Sequence, residues 1–176
     1  MARENSPIEL EGGKSYLIKE KDSELSYRLF ERNVEKKTPG LLISRQHPSR
    51  LETRFKNTRF VWISQTPGKD YYEPTALNSL AQLICQFVEE KEKCVILLDC
   101  FEFLTIHNDF EHAFKTLELV NEFVMQREAI LMVPLNPEAM EPKQVSLLEK
   151  GMDIVESEGA KASMVEDDLA DLMDKY

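Results

Sequence analysis

Residues Lys93 to Asn108 read KCVILLDCFEFLTIHN, and the first half of that stretch decides the fold. Cys94-Val95-Ile96-Leu97-Leu98 is apolar without interruption and stops on the carboxylate of Asp99. A strand apolar on both faces belongs in the middle of a parallel sheet that helices cover on both sides. In such sheets ligands collect beyond the carboxyl ends of the strands, so Asp99 stands where chemistry would be.

Working outward on the amino-terminal side, Ser15–Ile18 after the Gly12-Gly13 turn is expected as a first strand. Leu25, Leu29, Phe30 and Val34 then recur at helical spacing, giving an amphipathic helix from about Asp22 to Glu35. Pro39-Gly40 breaks it, and Leu41–Ile43 and Phe60–Ile63 follow as strands. Pro74 is expected as the first residue of a long helix carrying Leu77, Leu80, Ala81, Ile84, Phe87 and Val88. Beyond the central strand, Asn108 is the expected cap of a helix with Phe110, Phe114, Leu117 and Val124 on one stripe. Ala129–Val133 makes a fifth strand, Pro137 opens a region with Val145, Leu147 and Leu148 at helical spacing, and Met152–Val155 is a short edge strand. Strands alternating with helices predict an α/β three-layer sandwich with a mainly parallel sheet of five to six strands. The expected domain covers residues 8–156, and residues 157–176 form a linker and an acidic amphipathic tail.

The composition narrows the function classes. Of 176 residues, 42% are hydrophobic, ordinary for a globular chain, and the formal charge is −10. That charge argues against broad binding to nucleic acid or to anionic membrane. No apolar run is long enough to span a bilayer, the start MARENSPIEL does not resemble a signal peptide, and the three cysteines show no metal-type spacing. A cytoplasmic protein is the expectation. The charge is unevenly spread: Arg45, Arg50, Arg54, Lys56 and Arg59 face the single acid Glu52, while Val165–Tyr176 holds five acids against Lys175.

A strand ending in aspartate invites comparison with P-loop ATPases, in which such a carboxylate holds Mg²⁺ and a glycine-rich turn cradles phosphates. Gly13-Lys14-Ser15 resembles the end of a phosphate loop, but Ile8 stands where its first glycine belongs, and the motif precedes a strand instead of opening a helix. The turn after the first strand, Lys19-Glu20-Lys21-Asp22-Ser23, has no glycine and carries acids that would repel a triphosphate. Asp99 and Glu102 are close enough to share a strand-end site, yet two carboxylates without a nucleophile specify no reaction. His107 and His112 are five apart, off the spacing of a helical zinc pair, and no serine sits in a nucleophile elbow. Arg45, Arg50 and Arg54 are candidates for an anion or partner site, since guanidinium forks suit phosphate and carboxylate. In the tail, Val165, Leu169, Leu172 and Met173 form one apolar stripe among acids, the pattern of a helix that docks in a groove.

Several elements together resemble the archaeal domain-of-unknown-function family 835. They are Gly13–Ile18 with Glu20, Gly40–Arg45 with Pro48, Trp62-Ile63-Ser64, Pro74 with Leu77, Val95–Asp99 with Glu102 and Leu104, Asn108 with Phe110, and Pro137 with Leu147-Leu148-Glu149. They span about residues 10 to 150. Where that family usually has glycine after the strand-end aspartate, this chain has Cys100. The family resembles a degenerate relative of RecA- and KaiC-like ATPases lacking the phosphate loop. The family carries no established activity over to this chain, and the leading expectation is a non-enzymatic regulatory or scaffolding module that uses an inactivated nucleotide-binding fold to contact a protein partner, with no cofactor or metal and with a homo-oligomer as one form of partner. The competing expectations are a Mg²⁺-nucleotide sensor or weak NTPase using Asp99 and Glu102, and nucleic-acid binding through residues 45–59.

Overall fold

In the computed structural model, which describes residues 8–157, a seven-stranded sheet runs with every strand parallel. In chain order the elements are β1 (Lys14–Lys19), α1 (Glu24–Glu35), β2 (Gly40–Ser44), β3 (Thr58–Ile63), β4 (Tyr71–Tyr72) and α2 (Leu77–Lys91). They continue with β5 (Val95–Asp99), α3 (Phe101–His107), α4 (Phe110–Met125), β6 (Ile130–Leu135), α5 (Pro142–Lys150) and β7 (Asp153–Glu156). The spatial order is β4-β3-β2-β5-β6-β1-β7, so β5 lies at the centre. Its register sets Leu97 beside Leu42 on one side and beside Met132 on the other.

Alternation along β5 divides the core. Leu97 joins Ile18, Leu25, Leu29, Phe30 and Met132 on the face covered by α1, and residues 48–55 add Leu51 and Phe55 there. Leu98 joins Leu80, Ile84, Phe101, Leu117 and Val133 under α2, α3 and α4. Val145 and Leu148 of α5 lie on this face too, so among the described residues α1 covers one face and α2, α3, α4 and α5 the other. Glycine at position 40 lets α1 sit close: a Cβ there would come within 2.7 Å of both Phe30 Cζ and Val34 Cγ1.

Four details differ from the sequence expectation. The sheet has seven strands because two residues, Tyr71–Tyr72, pair with Trp62–Ile63 as an added edge, too short to show a period. Pro74 lies in a turn ahead of α2, which starts at Leu77, and its carbonyl accepts a hydrogen bond from Asn108 Nδ2 at 2.9 Å. A separate helix, α3, follows β5 directly. Asn108 closes α3, and Asp109 caps α4, its carboxylate accepting from His112 N at 2.7 Å. The tail residues Val165, Leu169, Leu172 and Met173 lie outside the described residues.

Leu97→Ala and Leu98→Ala each remove a fully packed side chain from opposite faces, so each is expected to cost about 2–5 kcal/mol in urea unfolding. Melting of both variants within a degree or two of the parent would contradict the central placement of β5.

Candidate functional site

Because all strands are parallel, Lys19, Ser44, Ile63, Asp99 and Leu135 end on one edge of the sheet. Two of these ends, with the start of α1, converge on Asp99. Its Oδ1 accepts from the Ser23 hydroxyl at 2.8 Å, and its Oδ2 accepts a short hydrogen bond from Tyr27 Oη. Ser44 Oγ lies 3.4 Å from the same phenol oxygen, and Gln46 Nε2 donates to it at 3.3 Å. Ser23 makes its bond from a left-handed conformation, φ 61°, that is strained for a residue with a side chain. Such local strain persists where surrounding contacts over-determine it.

One turn earlier, Glu20 is buried although acidic. Its Oε1 accepts from Leu25 N at 2.9 Å, and its Oε2 from Ser26 N at 3.0 Å and Ser26 Oγ at 2.6 Å. These are amides of the first turn of α1, the position where a helix start ordinarily attracts an anion. The protein supplies that anion from its own chain. Glu102 is similarly occupied, accepting from Asn136 N in the loop after β6. Among the described residues no buried side-chain nitrogen or oxygen lacks a partner.

Burial pushes the carboxyl groups of Asp99, Glu20 and Glu102 above the usual range, in each case partly offset by the hydrogen bonds just named. Burial beside the Asp99 charge also raises the Tyr27 phenol, which therefore stays protonated and donates. Burial lifts the Cys94 thiol to about 11 and raises Cys85 and Cys100, so all three are neutral thiols at pH 7. Among the described residues no three His, Cys, Asp or Glu side chains converge as a metal-binding group.

The structure keeps Asp99 and Glu102 near each other but binds each to its own donors. It separates the three arginines. Arg45 is exposed and lies 3.7 Å over the Phe103 ring, Arg54 pairs with Glu31 at 3.0 Å and Glu24 at 3.5 Å on α1, and Arg50 is exposed in a 3-10 turn, Pro48–Arg50. Sequence reasoning missed Tyr27 and Ser23 and took Glu20 only as a source of repulsion. The available signal was a glutamate placed five and six residues ahead of Leu25 and Ser26, within reach of the amides that a helix leaves unpaired.

A family model described as protein of unknown function (DUF835) matches residues 18–152, which contain the whole of this network. No curated protein matches the chain.

Glu20→Ala would leave two buried amides and the Ser26 hydroxyl without their acceptor, an expected loss of about 2 kcal/mol, and Glu20→Gln, which keeps one acceptor oxygen, should lose less. Denaturant unfolding of the two variants checks the order. The raised carboxyls also fix a sign. A group that holds its proton more tightly when folded stabilises fully below its unfolded value, about pH 4, and that contribution is lost as pH rises through the raised folded value. Asp99→Asn cannot ionise, so its melting temperature relative to the parent should improve as pH rises from about 4 to about 7. A constant difference would refute the raised carboxyl.

Proposed function

The chain belongs to the DUF835 family, and from the geometry of its strand-end network we propose that it is a non-enzymatic regulatory or scaffolding module, acting through protein contacts on an inactivated nucleotide-binding fold. One observation carries this: the Glu20 carboxylate accepts the Leu25 and Ser26 amides at the start of α1. A nucleotide-binding fold of this kind needs that helix start for phosphate and the strand-end carboxylate for Mg²⁺. Here the first is taken by a glutamate, and the second, Asp99, is bonded to Ser23 and Tyr27. The two positions still lie side by side, since Ser23 belongs to the same turn as Glu20. The arrangement resembles a phosphate site in layout and opposes a phosphate in charge. What remains useful is a rigid scaffold with a polar edge, and its activity is then defined by the partner it holds.

A thermal-shift titration with ATP and GTP, each with Mg²⁺, tests this reading. A ligand at 100 times its dissociation constant stabilises by about 2.7 kcal/mol, which would be plainly visible. The expected result is no shift. A magnesium-dependent rise in melting temperature that Asp99→Ala abolishes would replace the module with a nucleotide sensor.

A further inference from the structure

The other end of the strands, away from the Glu20–Asp99 network, gathers cations. Gly40 opens β2 and pairs with Thr58 of β3 on one side and Val95 of β5 on the other. The segments leading into these three strands therefore lie side by side, within two strand spacings or roughly 10 Å. The backbone joins them: Gly40 N donates to the Asn57 carbonyl at 3.0 Å, and Val95 N to the Pro39 carbonyl at 2.9 Å. This end presents Lys36, Lys37, Lys56, Arg59 and Lys93, all exposed, against the acids Glu35 and Glu92. None of those five cations forms an ion pair among the described residues. In a chain of net charge −10 they reverse the sign locally. Between the end of α1 and the start of β3 the surface opens into a cleft of about 420 Å³, lined by Val34, Glu35, Lys37, Arg54, Lys56 and Asn57. Its wall is mostly apolar, from Val34 and the aliphatic stems of the long side chains. Asn57 Nδ2 donates to the Lys37 carbonyl at 3.4 Å, and both residues hold left-handed conformations, φ 51° and 66°. The two loops are thus tied together before any ligand arrives, which leaves less to order on binding.

We propose that this cleft and the lysines around it dock a short acidic segment of a protein partner, its carboxylates on Lys36, Lys37, Lys56 and Lys93 and one apolar side chain in the cleft. The inference rests on the module reading only in taking the chain to work through protein contact. Charge complementarity calls for an anion, and the make-up of the patch chooses among anions. Phosphate groups are best held by guanidinium forks. The arginine that lines the cleft, Arg54, is already held by Glu31 at 3.0 Å and Glu24 at 3.5 Å. Apart from Arg59 the unpaired cations are lysines, compact point charges that suit several separate carboxylates. Single-stranded nucleic acid needs exposed rings on which to stack its bases, and the rings of these segments, Phe55 and Phe60, pack into the α1 face instead. A duplex would run well past a patch of roughly 10 Å and meet Glu90 and Glu128, exposed at the end of α2 and ahead of β6. Four extended peptide residues cover about 13 Å, which matches the patch.

Fluorescence anisotropy with the full-length chain tests this, using a labelled nonapeptide of glutamates around one central leucine. At about 20 mM salt the peptide should bind, and at about 500 mM its affinity should fall about ten-fold or more, as the screening length contracts from roughly 20 Å to roughly 4 Å. Lys37→Glu with Lys56→Glu should weaken binding about ten-fold at low salt, while Arg45→Glu, a cation at the far end of β2, should leave it unchanged. Lys37→Asn with Lys56→Gln removes the charge, keeps a residue that tolerates the left-handed backbone, and should give an intermediate loss at an unchanged melting temperature. Serine in place of the peptide's leucine should weaken binding about three-fold. No binding at about 20 mM salt, or an equal loss from Arg45→Glu, would overturn the proposal. Tighter binding of a DNA strand or duplex of about 20 nucleotides, lost in the same lysine variants, would overturn it in favour of nucleic acid. Failure of the peptide leaves the nucleotide titration, and with it the module reading, untouched.

Discussion

The domain depends on one constraint: β5 is apolar on both faces and must be covered on both. Among the described residues α2, α3, α4 and α5 share one face, whereas α1, helped by Leu51 and Phe55, covers the other. A helix with so much to bury has little freedom. Losing its seat would expose Leu25, Leu29, Phe30 and Val34, at about 1.5–3 kcal/mol for each large side chain, comparable in sum with the whole stability of a small domain. Its position is therefore fixed at several points. Gly40 admits Phe30 and Val34, Tyr27 reaches Asp99, and Glu20 ties down the first amides. The polar network at the sheet edge is in this sense a structural fastening of α1 as much as a site.

The same constraint explains what could be foreseen. Strand β5, its burial on both faces and the stripes of α1, α2 and α4 follow from periodicity, because burial is what periodicity records. β4 has two residues and no period to record. α3 was hidden because its seven residues bury fully only Phe101 and Leu104, and the turn from β5 into it reads as loop. Asp99 was legible as a strand end, but its partner Tyr27 is 72 residues away and sits off the obvious apolar positions of α1. Glu20 was visible with the wrong orientation: in an irregular turn nothing in the sequence says whether a carboxylate points out or folds back onto amides. The arginines part for a related reason. Leu51 and Phe55 draw residues 48–55 onto the α1 face, which carries Arg54 to Glu24 and Glu31 and leaves Arg45 on the edge.

Whether an external anion could still use the start of α1 is decided by magnitudes. The attraction of a helix start for an anion is typically 0.3–1 kcal/mol, rising to about 2 when partly buried. A phosphate arriving beside Glu20 would meet a unit negative charge at contact distance, and at 4 Å with an effective dielectric constant of 20 that repulsion is about 4 kcal/mol. The repulsion exceeds the attraction, and every 1.4 kcal/mol is a tenfold loss of affinity. Displacing Glu20 instead would strand a buried carboxylate without the three donors that now satisfy it, a loss of about 1.5–3 kcal/mol for each hydrogen bond to a charged group. Either route costs more than the helix start returns. A chain carrying glutamate at this position keeps the architecture of an anion site while holding external anions away.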